Sequence, residues 1–462
     1  MGSGFGTMAL IGLLEDAGLL AGDHRRQGHN LVPRTGHFPA KAKAVIQLFQ
    51  NGGPSQMDLF DPKPELNRRQ GQPHPEEVET FQLGNKNVLL GSPFRFEQHG
   101  QSGMQFSEVV PHLAALADDL CMVRSMYTEN NNHPFAINMM QTGKTFAGHP
   151  AIGSWIGYAL GTENRNLPAY VVLRDPAGYN TSGKTVWSSG WLPALYQGTE
   201  FSASGTPVLH LQPSRHQSAA AQVRSRDLLA HLNALHVERH PRESELETRI
   251  KNFELAARMQ LVASEILDLS RESQDIHRRY GLDNPETAGY GMRCLLARRL
   301  IEAGVRFVQV FPPATPDFQP WDNHSKLSET LPKICQQVEQ PSAALITDLK
   351  NRGLLDDVIV MWTGEFGRLP ITEGSAGRDH NRNAFTLLMA GGGFQPGLTY
   401  GTTDEFGYRA VENRVSVPDL HATILHQLGI DHTLLDYLHM GRAERLTDPD
   451  VTGAQVVDPL LT

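Results

Sequence analysis

Val358-Ile359-Val360-Met361-Trp362-Thr363-Gly364-Glu365-Phe366-Gly367-Arg368 is the stretch on which the reading of the fold turns. Its first five residues are large and apolar, with no polar residue alternating between them. Such a run is a strand covered on both faces, as in a parallel sheet between helices. Glu365 then falls where the strand ends. Gly377-Arg378-Asp379-His380-Asn381 comes soon after, and a second apolar run fills 384–390. In open α/β sheets, ligands bind beyond the carboxyl ends of the strands. Glu365, Asp379 and His380 arriving there together point to a metal or acid/base site.

The flanking sequence repeats the pattern. Residues 41–49 predict a first strand, which opens into Asn51-Gly52-Gly53-Pro54-Ser55-Gln56-Met57-Asp58. Glycines let backbone approach a neighbour closely, and Asp58 falls in the loop past the strand. A turn-forming role is the plain alternative for this aspartate. Residues 120–124 predict a second strand leading to Thr128-Glu129-Asn130-Asn131-Asn132-His133-Pro134. Pro134 suits the first turn of a helix, and Thr142-Gly143 stops it. Asn132 and His133 therefore fall at a helix N-terminus, where backbone N–H groups favour an anion. Asn132 acting as a simple cap is the alternative.

A third strand is expected over 169–174, followed by an irregular Gly/Ser/Trp-rich segment, 178–191, of the substrate-side kind. From 218 to 303 the sequence is helical and amphipathic, and reads as an insertion packed on the main domain. Residues 305–311 predict another strand, opening onto Trp321-Asp322-Asn323-His324. Asp322 and His324 are two apart, on one side of an extended chain, and both are metal-ligand types. Residues 342–352 and 417–425 predict helices, the latter with Pro418 near its start. The expected fold class is α/β, a three-layer α/β/α sandwich with a mostly parallel sheet and a helical insertion. Its domains are an N-terminal segment (1–37), one α/β domain (38–441) and a loose polar tail (442–462).

Bulk composition narrows the function classes. The 462 residues are 40% hydrophobic and 20% charged, as in ordinary globular proteins, and the net charge is −9. That balance speaks against a dedicated nucleic-acid binder, which carries a basic stripe. Three cysteines are far apart and fit no zinc spacing, while twenty histidines direct any metal site toward imidazole and carboxylate ligands. Phe5-Gly6-Thr7-Met8-Ala9-Leu10-Ile11-Gly12-Leu13-Leu14 is too short to span a bilayer. It reads either as an amphipathic helix or as part of an export signal, the latter implying a periplasmic or exported protein and the former a cytoplasmic one.

Four segments in order resemble the DUF1501 family, a bacterial branch of the alkaline phosphatase and sulfatase superfamily. They are 38–64, 190–199, 362–368 with 377–380, and 419–423, together spanning most of the chain from 38 to 441. The resemblance implies an alkaline-phosphatase-like sandwich with metals at the strand ends, and hydrolysis of phosphate or sulfate esters. It implies metal ligands at Asp58, Asp322, His324, Glu365, Asp379 and His380, holding one or two divalent ions. Zinc or manganese suits such carboxylate and imidazole donors better than calcium. The pattern departs from the superfamily at the nucleophile, where His133, nine residues before Thr142, stands in place of Ser, Thr or Cys. His133 and Asn132 become the candidate catalytic pair, with His133 a nucleophile, an anion holder or a supporting group. The expected partner is a small-molecule or polysaccharide ester, with neither nucleic acid nor a transmembrane segment. The alternative from a different class is a binding protein that keeps the fold without catalysis.

Overall fold

The computed structural model describes residues 30–82, 87–202, 265–316 and 319–462, with scattered positions between 224 and 259. The apolar run at 5–14, and most of the helical stretch up to 264, lie outside the described residues. Leu31–Thr462 forms one unit.

Apolar segments, fully buried in the middle of the sheet and partly exposed at its edges, build the central sheet. Its strands are β1 (Ala44–Phe49), β2 (Leu120–Tyr127), β3 (Tyr170–Leu173), β4 (Thr199–Phe201), β5 (Phe307–Val310), β6 (Val358–Thr363), β7 (Phe385–Ala390), β8 (Thr399–Tyr400) and β9 (Val415–Ser416). The order is β8-β2-β7-β6-β1-β5-β3-β4, with β9 also pairing β2. β1 lies parallel between β5 and β6, with Ile46 opposite both Val308 and Val360. β7 alone runs antiparallel to its neighbours β2 and β6. The sheet is therefore mostly parallel, as the unalternated apolar runs require.

Side chains on successive strand positions leave opposite faces, and the core divides accordingly. Ile46, Leu48, Val308, Val360 and Trp362 face one layer, formed by α3 (Pro285–Glu302) and α4 (Leu327–Asn351). Val45, Phe49, Phe307, Ile359 and Met361 face the other. That layer holds α1 (His133–Thr142), α2 (Ile152–Leu160) and α5 (Val417–Gln427). The result is the three-layer α/β/α sandwich. α3, the last part of the stretch read as an insertion, is a core helix of this sandwich. α4 begins well before the expected residue 342 and continues through Pro332 and Pro341. Each proline removes one helical N–H, so sequence reading breaks the helix there. Its apolar face, including Leu331, Cys335, Val338 and Leu345, holds it together by packing.

The ends are tied down. Arg34 N–H bonds Leu160 O, and His37 N–H bonds Gly429 O. The tail expected to be loose runs back over the body, with Leu446 2% and Leu460 0% exposed. Leu446 and Leu460 anchor it in the core, with Val457 and Leu461 packed beside them.

α1 is seated for a purpose visible in its sequence. Pro134 opens it, and Gly143, at φ 67°, closes it in the left-handed conformation glycine tolerates. Gln141 on its buried face accepts from Gln309 Nε2 at 2.7 Å, and Gln309 also donates to Gln47 Oε1 at 2.9 Å. This amide ladder ties the C-terminal end of α1 to β1 and β5.

Candidate metal centre

Loops at one end of the sheet carry the site. β2 feeds His133 at the start of α1, β5 feeds Asp322 and His324, β6 feeds Glu365, and His380 stands just before β7. Because β7 is antiparallel, its beginning lies at the same end as the carboxyl ends of β2 and β6. Residues far apart in sequence thus meet in one place.

Asp322 is the centre of the group. Its Oδ1 lies 2.8 Å from His324 Nε2 and 3.2 Å from His380 Nε2, and its Oδ2 lies 3.3 Å from His133 Nε2. The His324 and His380 Nε2 atoms are themselves 3.0 Å apart. Each ring is held from behind through Nδ1. His133 Nδ1 lies 2.6 Å from Glu365 Oε1, His324 Nδ1 meets the Glu373 carboxylate, and His380 Nδ1 meets Asn131 O at 2.7 Å. A carbonyl can only accept, so His380 Nδ1 carries the proton and its Nε2 presents a lone pair. His133 Nε2 contacts Asp322 but makes no well-directed hydrogen bond among the described residues. Two sets of donor atoms lie within 4.8 Å of one another: His133, Asp322 and His380, and His324, Asp379 and His380.

The electrostatics follow from this packing. Burial alone would raise the Asp322 carboxyl, but Arg368 and the three imidazoles outweigh it and hold Asp322 well below the usual carboxylate range. Burial pulls His133 down, whereas Asp322 and Glu365 together carry it above the ordinary histidine value. His324 behaves alike, with burial opposed mainly by Asp322. Burial dominates at His380 and pushes it down to about 3, keeping that ring neutral.

Two buried arginines fix the floor. Arg368, 1% exposed, donates to Asp322 Oδ1 at 2.6 Å, to Gly53 O and to Arg378 O. Arg378, 0% exposed, grips Asp58 through Nε at 2.6 Å and Nη2 at 3.1 Å. Gly52 has φ +115°, and a Cβ there would stand 2.6 Å from Trp321 N. Its N–H reaches Glu365 Oε1 at 2.9 Å and Oε2 at 3.1 Å. The glycine's close approach is therefore to the Trp321-Asp322 backbone.

A family model described as "Protein of unknown function (DUF1501)" matches residues 42–461. The chain belongs to the DUF1501 family. No curated protein sequence matches it. Solved structures to which this DUF1501 chain is similar include the lipoteichoic acid synthase LtaP from Listeria monocytogenes, at 10% identity over 86% of this chain and 76% of that one, TM-score 0.35. A protein in the alkaline phosphatase superfamily from Vibrio parahaemolyticus aligns at 10% identity over 93% and 77%, TM-score 0.36. The phosphonate monoester hydrolase SpPMH from Silicibacter pomeroyi aligns at 14% identity over 76% and 73%, TM-score 0.31.

Of the residues singled out in this DUF1501 sequence, the structure brings together His133, Asp322, His324, Asp379 and His380. Asp58 stands apart from both donor sets. Its carboxylate is taken by Arg378 and Ser55, because a fully buried guanidinium must have a counter-charge. Glu365 is used behind His133 and on Gly52 N–H. Asp379 Oδ2 accepts from Phe81 N and Gln82 N at 2.8 and 2.9 Å, and Phe81 stacks on His380 at 4.7 Å between ring centroids. Asn132 occupies the N-cap position of α1, but its side chain makes no capping bond. Sequence reasoning missed Glu373, Arg368 and Arg378. The two arginines lie within the quoted motifs and could have been found there, whereas Glu373 sits in a polar loop with no pattern to mark it. No helix among the described residues is long and apolar enough to cross a membrane.

Proposed function

We propose that this DUF1501 protein is a metal-dependent hydrolase of phosphate or sulfate esters, with His133, Asp322 and His380, or His324, Asp379 and His380, as the groups that hold a divalent ion. The observation that carries the reading is the convergence of three imidazole Nε2 atoms on one carboxylate, each ring braced through Nδ1 by an outer acceptor. That is the donor chemistry of zinc or manganese sites, and the outer acceptors are the kind that orient metal-binding histidines. Charge supports it as well: Asp322, Glu365, Glu373 and Asp379 crowd the site with Arg368 as the nearby cation, and a divalent ion offsets the surplus. Such an ion supplies Lewis acidity toward an ester oxygen and lowers the pKa of bound water.

The protein's own residues do the rest. Glu365, Glu373 and the Asn131 carbonyl keep the three rings turned inward. Arg368 holds Asp322 at one oxygen. The N-terminal turn of α1 presents its positive end toward the anionic substrate. His133 stands where a hydroxyl or thiol nucleophile was expected, yet both of its nitrogens face carboxylates. Holding the ion fits those contacts better than attacking an ester.

One observation favours the non-catalytic alternative: the segment Thr128-Glu129-Asn130-Asn131-Asn132-His133 places no hydroxyl or thiol at the helix start. Metal analysis of purified protein, with turnover assays on aryl phosphate and aryl sulfate esters, separates the two. A stoichiometric zinc or manganese ion and turnover abolished by Asp322→Asn support the hydrolase. Bound metal without turnover of any ester supports the binding protein, and absence of metal overturns both metal roles.

A further inference from the structure

Beside His380, the candidate metal centre is finished by a stretch that belongs to none of the loops at the strand ends. Pro75-Glu76-Glu77-Val78-Glu79-Thr80-Phe81-Gln82 forms no helix or strand and carries three carboxylates. Such a stretch does not hold itself in place, so its position is set by what it is tied to. Val78, 6% exposed, packs with Leu369, Ile371 and Tyr408. Glu79 N–H donates to the Tyr408 hydroxyl at 3.0 Å, and the Glu79 carboxylate accepts from Arg382 Nε and Nη2 at 3.0 and 2.9 Å. Glu76 accepts from Arg409 Nη1 at 2.8 Å. The last tie is made by the N–H groups of Phe81 and Gln82, which both donate to the buried Asp379 carboxylate. All of these anchors lie between 369 and 409, and Asp379 is next to His380.

The ties place the ring of Phe81. It stacks on the His380 imidazole, with centroids 4.7 Å apart and planes 24° apart. Phe366, 0% exposed, lies against the same imidazole at 4.6 Å and 34°, and also packs on His133 at 4.8 Å. Phe81 differs from it in being 38% exposed and in joining none of the core clusters among the described residues. A ring left this exposed adds little to the core, and its ordered contact is with His380. The hydrogen bond from His380 Nδ1 to Asn131 O at 2.7 Å fixes one point of the imidazole but not its plane. A stacked ring restrains the plane.

We propose that Phe81 is a positioning residue of the candidate metal centre, holding the plane of His380 so that Nε2 stays aimed at the ion, and that residues 75–82 are the strap that keeps it there. The proposal rests on the metal-binding part of the reading above. His380 belongs to both donor sets, so the consequence is the same whichever set holds the ion. Phe81 offers the ion no ligand atom, and its effect passes through His380. Groups that orient a metal-binding histidine set how tightly the metal is held. Losing the ring lets the imidazole tilt and weakens the hold on the ion, while every ligand atom remains.

Zinc and manganese affinities of the full chain, measured by competition with a chromogenic chelator, test it. Phe81→Ala is expected to lower the affinity for the ion that wild type binds by about 2- to 10-fold, the range a single aromatic contact supports. Phe81→Tyr and Phe81→Trp keep a stacking ring, and at least one of them should bind like wild type. Glu79→Gln loosens the strap at Arg382 and should give part of the loss. Combined with Phe81→Ala it should give no further loss, because both act through one ring. Urea denaturation of the same variants supplies the contrast: a ring with only a structural role lowers the midpoint and leaves the affinity of the folded protein unchanged. Wild-type affinity in Phe81→Ala overturns the proposal, as does a loss that neither Phe81→Tyr nor Phe81→Trp restores. A Glu79→Gln loss that adds in full to that of Phe81→Ala overturns the strap. If wild type binds neither zinc nor manganese, the metal reading falls and the proposal with it. If wild type binds an ion and Phe81→Ala binds it as tightly, the proposal alone falls.

Discussion

Asp58→Asn discriminates between two roles for a fully buried carboxylate. Asp58 and Arg378 are both 0% exposed and meet through two hydrogen bonds at 2.6 and 3.1 Å. Asparagine preserves the shape but removes the charge, leaving the Arg378 guanidinium buried without a counter-ion. Breaking such a pair from one side costs about 3–5 kcal/mol, most of it the penalty of the stranded charge. Removing both partners should cost much less, so Asp58→Asn with Arg378→Met is expected to recover a large share of the loss. Urea denaturation followed by tryptophan fluorescence measures both changes, and metal content is measured on the folded protein in parallel. The expected result is a large stability loss with metal stoichiometry unchanged. If Asp58→Asn denatures like wild type but loses its metal, Asp58 is a ligand and the pairing described above is not its purpose.

Three further expectations follow from the same contacts. Glu365→Gln weakens the brace behind His133 and should lower metal affinity about 10- to 100-fold with the fold retained, as measured by competition with a chromogenic chelator. Gly52→Ala meets backbone atoms of Trp321 and Asp322 at 2.6 and 2.9 Å and keeps a φ of +115°, so it should cost at least about 1–3 kcal/mol and also lower metal affinity; wild-type metal binding would refute the close packing. His421, fully buried on α5 with Nε2 bonded to Met140 O and Nδ1 unpaired among the described residues, is pushed down by burial to about 4 from 6.5. The unfolded chain then binds the proton more tightly, so stability is full above pH 6.5 and declines toward pH 4 by about 3 kcal/mol. His421→Gln should flatten that decline in urea titrations across pH 4–7, and an unchanged slope would refute it.

The strands were legible because burial on both faces writes itself as mostly apolar runs, and β1, β3, β5, β6 and β7 stand within three residues of where those runs lie. α1 was legible from Pro134 and Gly143, whose backbone constraints do not depend on distant partners. The DUF1501 resemblance, read from four segments, agrees with the family match over 42–461. What each carboxylate does was not legible. Asp58 and Glu365 both follow strands and both look like ligands, but a carboxylate's role depends on which cation or N–H faces it in space. Arg378 is in plain view in the loop after β6, but nothing in the sequence pairs it with Asp58. The direction of β7 was equally hidden, since an apolar strand reads the same either way. α4 was truncated because proline's local penalty is visible in sequence and the packing that overrides it is not.

The position of β1 bears on how the protein is made. Among the described residues, the first strand of the sheet in chain order is a central one, and its two neighbours are β5 and β6, the strands around Val308 and Val360. Until those are synthesised, Val45, Ile46, Leu48 and Phe49 have no sheet partner, and both hydrogen-bonding edges of β1 are open. Non-local parallel pairing of this kind is slow, and an open apolar strand is prone to aggregate while it waits. Completion of the candidate metal centre is later still, because His380 arrives after β6 and just ahead of β7. On the proposed reading, the groups that would hold an ion come together only after nearly all of the sheet has been made, too late for an ion to serve as a nucleus for folding.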